Sequence, residues 1–233
     1  MTSAENSNVG GLPGALASPS AAIQTQHGSQ VDPRHIVELQ FAVQGHAIAL
    51  DHGYPLYAAL VAHIPELHGE TLGWQVLPVR GRQLAPGRMG LLPSSCVGLR
   101  CPAATIPAAL GLAGKTLRIG EDLVTLGVPV IRPLAPAVDL LSRFVTIKGF
   151  EDTEPFREAL IRQLLALAGE GDGAVAEIGE RRVMRVATHT IVGFAVALRG
   201  LSDEASLLVQ ARGLGGRRRM GAGVFFREGR KAC

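Results

Sequence analysis

The chain has 233 residues, of which 47% are hydrophobic and 18% are charged, and its formal net charge is +3. This composition suffices for one large domain or two of about 100 residues each, and it excludes an intrinsically disordered chain. No apolar run reaches the ~20 residues that a membrane-spanning helix needs. The N-terminus also lacks the basic and apolar regions of a signal peptide. We therefore expect a soluble, cytoplasmic protein.

Residues 1–33 are rich in Ser, Gly, Ala and Gln and show no periodicity, which predicts a flexible leader. A first series of elements follows in residues 34–135. Its first strand alternates apolar and polar residues through Leu39 and Phe41, and its first helix stops before Pro65 because proline disfavours helical geometry in the preceding residue. The series runs strand, helix, strand, strand, helix and strand hairpin, at 38–44, 55–64, 73–79, 96–100, 105–112 and 115–131.

The same order repeats in residues 136–233, after the proline-rich segment 133–136, which predicts a linker. The clearest helix carries Phe156 and Leu160 at core spacing. Two successive βαββαβ units predict an α+β fold of two tandem ferredoxin-like domains, similar to RNA-recognition motifs and ending in a glycine-rich loop. The second series is predicted at 144–148, 154–168, 175–187, 190–198, 203–211 and 224–227.

That glycine-rich loop lies between the last helix and the last strand. Its sequence is Gly213-Leu214-Gly215-Gly216-Arg217-Arg218-Arg219-Met220-Gly221-Ala222-Gly223. Glycine allows positive φ and close backbone approach, and arginine offers planar donors suited to phosphate. The spacing matches neither a Walker loop nor a dinucleotide-binding fingerprint, and an apolar strand follows where those motifs open a helix. The segment predicts a loop that binds the backbone of a polyanion, with a solvated charge run in a glycine-rich turn as the alternative.

Basic charge is concentrated near the same loop. Between Arg212 and Cys233 there are seven Arg and Lys residues against one acid, Glu228, so this segment alone carries +6. Such asymmetry favours a nucleic-acid partner over the alternative of a ferredoxin-like regulator that binds a small metabolite. Aromatic residues make up only 4% of the chain, and the stacking pair of RNA-recognition motifs is missing. We therefore expect contacts to the RNA backbone rather than base stacking.

The tandem βαββαβ series, the glycine-rich loop and a histidine after the first helix resemble the CRISPR-associated endoribonucleases that process precursor crRNA, the "Cas six" family. The loop matches that family's C-terminal signature as Gly213-X-Gly215, five residues, Gly221-X-Gly223. The resemblance covers residues 38–226 and is to a compact type I variant. Four further segments carry it: Asp51-His52-Gly53-Tyr54, Pro65-Glu66-Leu67-His68, Gly114–Gly120 and Val145–Gly149.

The resemblance implies metal-independent cleavage of CRISPR repeat RNA, with no cofactor. A 2′-hydroxyl attacks the adjacent phosphate, leaving a 2′,3′-cyclic phosphate and a 5′-hydroxyl, and the mature crRNA stays bound in a CRISPR effector complex. The sequence shows no Cys/His or carboxylate cluster with metal-ligand spacing. The implied partners are CRISPR repeat RNA or crRNA and other Cas proteins of an interference complex, with no membrane. A non-catalytic crRNA-binding subunit of a CRISPR ribonucleoprotein is the alternative.

Histidine suits proton transfer because its unperturbed pKa lies near 6.5. Under this resemblance, His68, which lies beyond the first helix, is the first candidate for the catalytic histidine. The second candidate is His52, in the turn before that helix. His63 is expected to pack on the apolar face of the helix, and it stays a third candidate. Tyr54 or Tyr57 is expected to supply the tyrosine that the family often adds. RNA contacts are predicted for Lys115, Arg118, Lys148, Arg212, Gly213, Gly215, Gly216, Arg217, Arg218, Arg219, Gly221 and Gly223.

Overall fold

The computed structural model describes residues 32–69, 73–169 and 173–227. The predicted leader lies outside the described residues except for its last two, and so do the basic residues Arg230 and Lys231. Asp32 caps a short 3₁₀ helix, Pro33–His35, by accepting a hydrogen bond from the Arg34 amide at 2.9 Å. The 3₁₀ helix leads directly into the first strand. Within the described ranges, no helix is long and apolar enough to cross a membrane.

The elements of the first series are β1 (Ile36–Gln44), β2 (Ala47–Ala49), α1 (Gly53–Val61), β3 (Gln75–Leu77), β4 (Arg82–Ala85), β5 (Arg88–Gly90), β6 (Cys96–Pro102), α2 (Ile106–Leu110), β7 (Thr116–Ile119) and β8 (Asp122–Pro133). Five of the strands form an antiparallel sheet in the order β3-β6-β1-β8-β7. This is the strand order of a ferredoxin-like unit, with the hairpin β7–β8 in the place of its last strand. The strands β2, β5 and β4 form a small additional sheet in that order.

The elements of the second series are β9 (Leu140–Val145), α3 (Thr153–Ala168), β10 (Val175–Val186), β11 (His189–Arg199), α4 (Asp203–Arg212) and β12 (Phe226–Arg227). The four strands form a sheet in the order β10-β11-β9-β12, in which Phe226 of β12 pairs with Leu141 of β9. Each strand takes the place of its counterpart in the first sheet, so the chain contains two ferredoxin-like units in tandem.

Each unit has its own hydrophobic core. In the first, Leu56 and Leu60 of α1 pack on the sheet residues Leu39 and Leu99. In the second, α3 packs on β11, and the rings of Phe156 and Phe194 lie 4.6 Å apart between centroids. The separate cores support a proposed domain boundary near residue 135, between β8 and β9.

The structure corrects three local predictions. The helix predicted at 55–64 is α1, which ends at Val61, so His63 lies in the following turn and is exposed rather than packed. The segment 80–88, for which no strand was predicted between those at 73–79 and 96–100, contributes to the hairpin of β4 and β5, which pairs with β2. The strand predicted at 144–148 is β9, which begins earlier and already ends at Val145.

A buried arginine joins the two units. Arg100 of β6 is only 1% exposed and donates from Nε to the Glu38 carboxylate at 3.0 Å. Its Nη1 donates to the carbonyls of Gln210 at 2.8 Å and Phe225 at 2.6 Å, on either side of the glycine-rich loop. A cation is favourable at the C-terminal end of a helix such as α4, where carbonyls lack partners within the helix. Arg100 therefore fixes both ends of the loop against the first sheet.

Candidate active site and RNA-binding loop

The glycines of the loop let it fold back on its own protein. Gly213, Gly215, Gly221 and Gly223 have φ values of +67°, +77°, +82° and +64°, a region that L-residues with side chains rarely adopt. A Cβ atom on Gly213 would collide with the Gly223 carbonyl, and one on Gly223 with the Leu214 carbonyl. The amide of Leu214 donates to that Gly223 carbonyl at 3.1 Å. These glycines are therefore required by the loop itself. Their positive φ could be expected from the sequence, whereas the close contacts within the loop could not.

The start of the loop is anchored to the second unit. The Gly216 amide donates to the carbonyl of Thr146 at 2.9 Å, and the Gly215 amide donates to the side chain of Gln163 on α3 at 2.8 Å. A Cβ on Gly215 would collide with the same Thr146 carbonyl. Lys148 lies two residues further along from Thr146 and is exposed. The structure therefore places this predicted RNA contact close to the loop.

The arginines of the loop differ in exposure. Arg217 is exposed and has a left-handed backbone with a φ of +60°. Arg218 is also exposed, and its Nη1 lies 3.4 Å from the Gly215 carbonyl. Arg219 is half-buried, in the short 3₁₀ helix Arg218–Met220, and Arg212 is half-buried at the end of α4. Arg217 and Arg218 thus present their charge to solvent, as phosphate contacts require.

The half-buried Arg219 reaches the first unit and contacts the segment that carries His68. Its Nη1 donates to the carbonyls of Leu67 at 2.8 Å and Gly69 at 3.3 Å, and to the carbonyl of His68 between them. Its guanidinium carbon also lies 5.8 Å from the centroid of the Tyr57 ring, within the range of a cation–π contact. The loop and the candidate histidine, far apart in the chain, are therefore neighbours in the fold.

Tyr57 and His68 form a hydrogen-bonded pair. Helix α1 places Tyr57, which is 8% exposed, and the 3₁₀ helix Pro65–His68 places the exposed His68. The Tyr57 hydroxyl lies 3.2 Å from Nδ1 of His68. Nε2 of His68 has no hydrogen-bond partner among the residues that the structure describes. An imidazole that is held at one nitrogen and open at the other can exchange a proton with a bound substrate.

His52, the second candidate, has a different environment. It is 4% exposed, and its Nε2 accepts a hydrogen bond from the Val79 amide at 3.1 Å. Nδ1 therefore carries the proton, and it lies 3.1 Å from the Ala49 carbonyl and 3.2 Å from that of Leu50. Burial lowers the pKa of His52 below its ordinary value of 6.5, since it disfavours the charged imidazole. Both ring nitrogens are engaged by the main chain, which suits a structural histidine.

The remaining candidates, Tyr54, Lys115 and Arg118, do not lie beside the Tyr57–His68 pair. Tyr54 is half-buried and packs with Met184 and Ala222, so it stands apart from the Tyr57–His68 pair. Lys115 and Arg118 are exposed, just before and on β7. Strand β7 forms one edge of the first sheet, and β3 forms the opposite edge. The 3₁₀ helix of the loop lies beside β3. The structure brings Tyr57 and His68 next to Arg219 of the loop, and Lys148 lies near the start of the loop. It leaves Lys115 and Arg118 at another edge.

A groove on the second sheet that carries two arginines was missed by sequence reasoning. It has a volume of about 490 Å³ and is lined by residues that include Arg143, Arg182, Glu177 and Phe226. The guanidinium of Arg80 stacks over the Phe226 ring at 4.5 Å from its centroid. Arg143 was overlooked because the predicted strand began after it. The sequence signal for this groove was the presence of Arg143 and Arg182 within two strands, which the sheet brings to one face.

Comparison with known proteins identifies the family. A model of the Cas6 CRISPR family matches residues 37–229. A CRISPR-associated endonuclease Cas6 from Myxococcus xanthus (strain DK1622) is 40% identical over 200 residues, covering 84% of this chain and 83% of the relative.

Solved structures show the same fold. A CRISPR associated protein Cas6 aligns with a TM-score of 0.58 at 14% identity, over 82% of this chain and 98% of that chain. A Cas6-related protein from Pyrococcus furiosus aligns with a TM-score of 0.55 at 16% identity, over 84% of this chain and 99% of that chain. The predicted tandem ferredoxin-like fold is confirmed by these likenesses and by the strand orders of the two sheets. The chain belongs to the Cas6 family of CRISPR-associated proteins.

Proposed function

We propose that this chain is an endoribonuclease that cleaves CRISPR repeat RNA to produce mature crRNA. Its family and a relative named as an endonuclease support this function. The observation that carries it is the exposed His68, hydrogen-bonded to Tyr57 and adjacent to an arginine-rich loop. A proton-transfer group thus lies next to cations that suit a polyanionic substrate.

The proposed reaction uses the RNA's own 2′-hydroxyl as the nucleophile and needs no metal. The 2′ oxygen forms a bond to the adjacent phosphorus while the bond from phosphorus to the 5′ oxygen breaks, which leaves a 2′,3′-cyclic phosphate and a 5′-hydroxyl. One proton leaves the 2′ oxygen and one is delivered to the 5′ oxygen. His68 transfers a proton at one of these two oxygens through Nε2, and Tyr57 orients the imidazole through Nδ1.

The exposed cations supply RNA binding in this proposal. Arg217, Arg218 and Lys148 contact phosphates near the cut, because charge-assisted bonds from exposed arginines suit phosphate oxygens. The groove lined by Arg143 and Arg182 holds a flanking part of the RNA. These contacts also support retention of the product, and the family resemblance implies other Cas proteins of an interference complex as partners.

The test is incubation of the protein with repeat RNA from its host in the presence of EDTA. We expect a single cut whose upstream product ends in a 2′,3′-cyclic phosphate. A 2′-deoxy nucleotide immediately upstream of the cut should abolish cleavage without abolishing binding. Tight binding without any cut would instead identify a non-catalytic crRNA-binding subunit, and no binding would contradict both functions.

The substitution His68→Ala tests the catalytic assignment. We expect the single-turnover cleavage rate to fall about 10²- to 10⁴-fold, the range for loss of a general acid or base. The matched controls are His63→Ala and His189→Ala, since both of these histidines are exposed and the first lies in the turn directly after α1. Both controls should cut at the wild-type rate. Unchanged cleavage by His68→Ala would show that another residue transfers the proton.

A further inference from the structure

The end of the 3₁₀ helix Pro65–His68 exposes carbonyls that need a donor from elsewhere. The last carbonyls of a helix have no partner within it, and a cation at this end is favourable. Arg219 supplies both the hydrogen-bond donor and the positive charge, because one nitrogen of its guanidinium donates to the carbonyls of Leu67, His68 and Gly69. The same group lies over the ring of Tyr57, which hydrogen-bonds to His68. Arg219 therefore contacts the main chain of the candidate histidine and also its side-chain partner.

The backbone that carries Arg219 is itself held firmly against α1 and β3. A Cβ on Gly53, at the first residue of α1, would lie 2.5 Å from the Met220 carbonyl oxygen, so the two backbones touch. On the other side, a Cβ on Gly221 would lie 3.1 Å from the Pro78 ring. The Met220 amide donates to the Arg217 carbonyl at 2.8 Å and closes the turn. The loop thus delivers the Arg219 side chain from a fixed position.

We propose that Arg219 is a positioning residue for His68 rather than a phosphate contact. The proposal rests on the proposed nuclease function, in which the imidazole of His68 transfers a proton. Arg219 fixes the backbone of residues 67–69 and the ring of Tyr57, and these two contacts set the orientation of the imidazole. Arg217 and Arg218 differ from it, since they are exposed and face solvent.

Loss of Arg219 should slow cutting without weakening RNA binding. A small displacement of a catalytic group can cost about 10²-fold in rate, so Arg219→Ala should lower the single-turnover rate about 10- to 100-fold. The dissociation constant for a non-cleavable 2′-deoxy repeat RNA should stay within about threefold of wild type, and the slope of binding against salt should not change. Arg219→Lys keeps one charged donor but not the planar fork, and should restore part of the rate.

A double-mutant cycle separates positioning from direct contact with the RNA. If Arg219 acts through His68, adding Arg219→Ala to His68→Ala should cause almost no further loss of rate. A residue that stabilises the phosphate directly would cost the same rate in both backgrounds and would reduce the salt slope by about one. Either of those results, or a wild-type rate for Arg219→Ala, would overturn the proposal.

Backbone hydrogen exchange provides a readout that requires no RNA. Amides of residues 66–69 should exchange faster in Arg219→Ala than in wild type, while those of α3 should be unchanged. Unchanged exchange at residues 66–69 overturns the positioning role even if the wild-type protein proves not to cut RNA. An inactive wild type with faster exchange in the variant would contradict the nuclease function alone. Arg219→Lys, measured in parallel, keeps the test decisive if the alanine variant fails to fold.

Discussion

His52 and His68 flank the same helix, α1, but their surroundings give them different chemistry. The main chain engages both ring nitrogens of His52, and burial lowers its pKa. His68 is exposed and held at Nδ1 alone. Sequence places both histidines near one helix, and it cannot distinguish them because burial depends on the distant residue Val79.

The buried His52 should make stability depend on pH. The folded state disfavours protonation of His52, so the unfolded chain binds more protons between the lowered pKa and 6.5. The free energy of unfolding should therefore decrease as the pH falls below 6.5, with a contribution of at most about 1.4 kcal/mol per pH unit from this one group. The measurement is urea unfolding at several pH values.

The variant His52→Gln removes this titration, so its stability should decrease less steeply with falling pH than that of the wild type. The exposed His63 provides the matched control, since His63→Gln should keep the wild-type pH dependence. Equal slopes in His52→Gln and wild type would show that His52 does not control the acid sensitivity.

Among the elements, the glycine-rich loop was predicted from sequence in position and composition but not in its internal geometry. Positive φ could be expected from the glycines, since few other residues adopt it. The collision that a side chain on Gly223 would have with the Leu214 carbonyl depends on how the loop closes. The close approach of Gly53 to Met220 depends on the packing of two distant segments. Neither contact leaves a local pattern.

The exposed arginines of the loop should control affinity. In the double variant Arg217→Asn/Arg218→Gln, asparagine is chosen because it tolerates the left-handed backbone of Arg217. We expect weaker binding of repeat RNA, a salt slope reduced by up to about two, and little change in the cleavage rate of fully bound RNA. Filter binding at several salt concentrations gives both the affinity and the slope.

Arg157→Ala/Arg162→Ala is the matched control for charge, because these two arginines lie on the outer side of α3, paired with exposed glutamates. It should retain the wild-type salt slope. An unchanged slope in the loop variant would place the phosphate contacts elsewhere, with the groove around Arg143 and Arg182 as the next region to test.

Across the whole molecule, Arg100 couples the two ferredoxin-like units. Arg100→Met would remove the guanidinium that pairs with the carboxylate of Glu38, which is 7% exposed. Breaking a buried ion pair in this way costs about 3–5 kcal/mol, and the carbonyls of Gln210 and Phe225 lose a donor as well. Denaturant unfolding should show this loss, and cleavage should weaken because both ends of the loop are released.

A surface ion pair provides the comparison for Arg100. Arg157 and Glu154 lie 3.4 Å apart on α3, and their side chains are 39% and 76% exposed. Such pairs contribute about 0–1 kcal/mol, so Arg157→Ala should have little effect on stability. A similarly small change for Arg100→Met would mean that the units are held together by other contacts.

Most of the fold could be predicted from sequence, whereas the site could be predicted only in part. Both βαββαβ series are encoded in local periodicity, such as the spacing of Phe156 and Leu160 on α3. The pairing of Tyr57 with His68 and the contact of Arg219 with the same segment arise from packing between distant segments. Sequence could therefore nominate these residues individually, and only the structure shows which of them meet.

The contact between Arg219 and the His68 segment has a consequence for the order of events during translation. Arg219 is synthesised 151 residues after His68, and domains generally fold in the order in which they leave the ribosome. A nascent chain can complete its first ferredoxin-like unit while the guanidinium that steadies residues 67–69 has not yet been made. On our proposal, such partial chains cut RNA near the ribosome at least about 10- to 100-fold more slowly, because the nuclease reaches its full rate only when the second unit has folded.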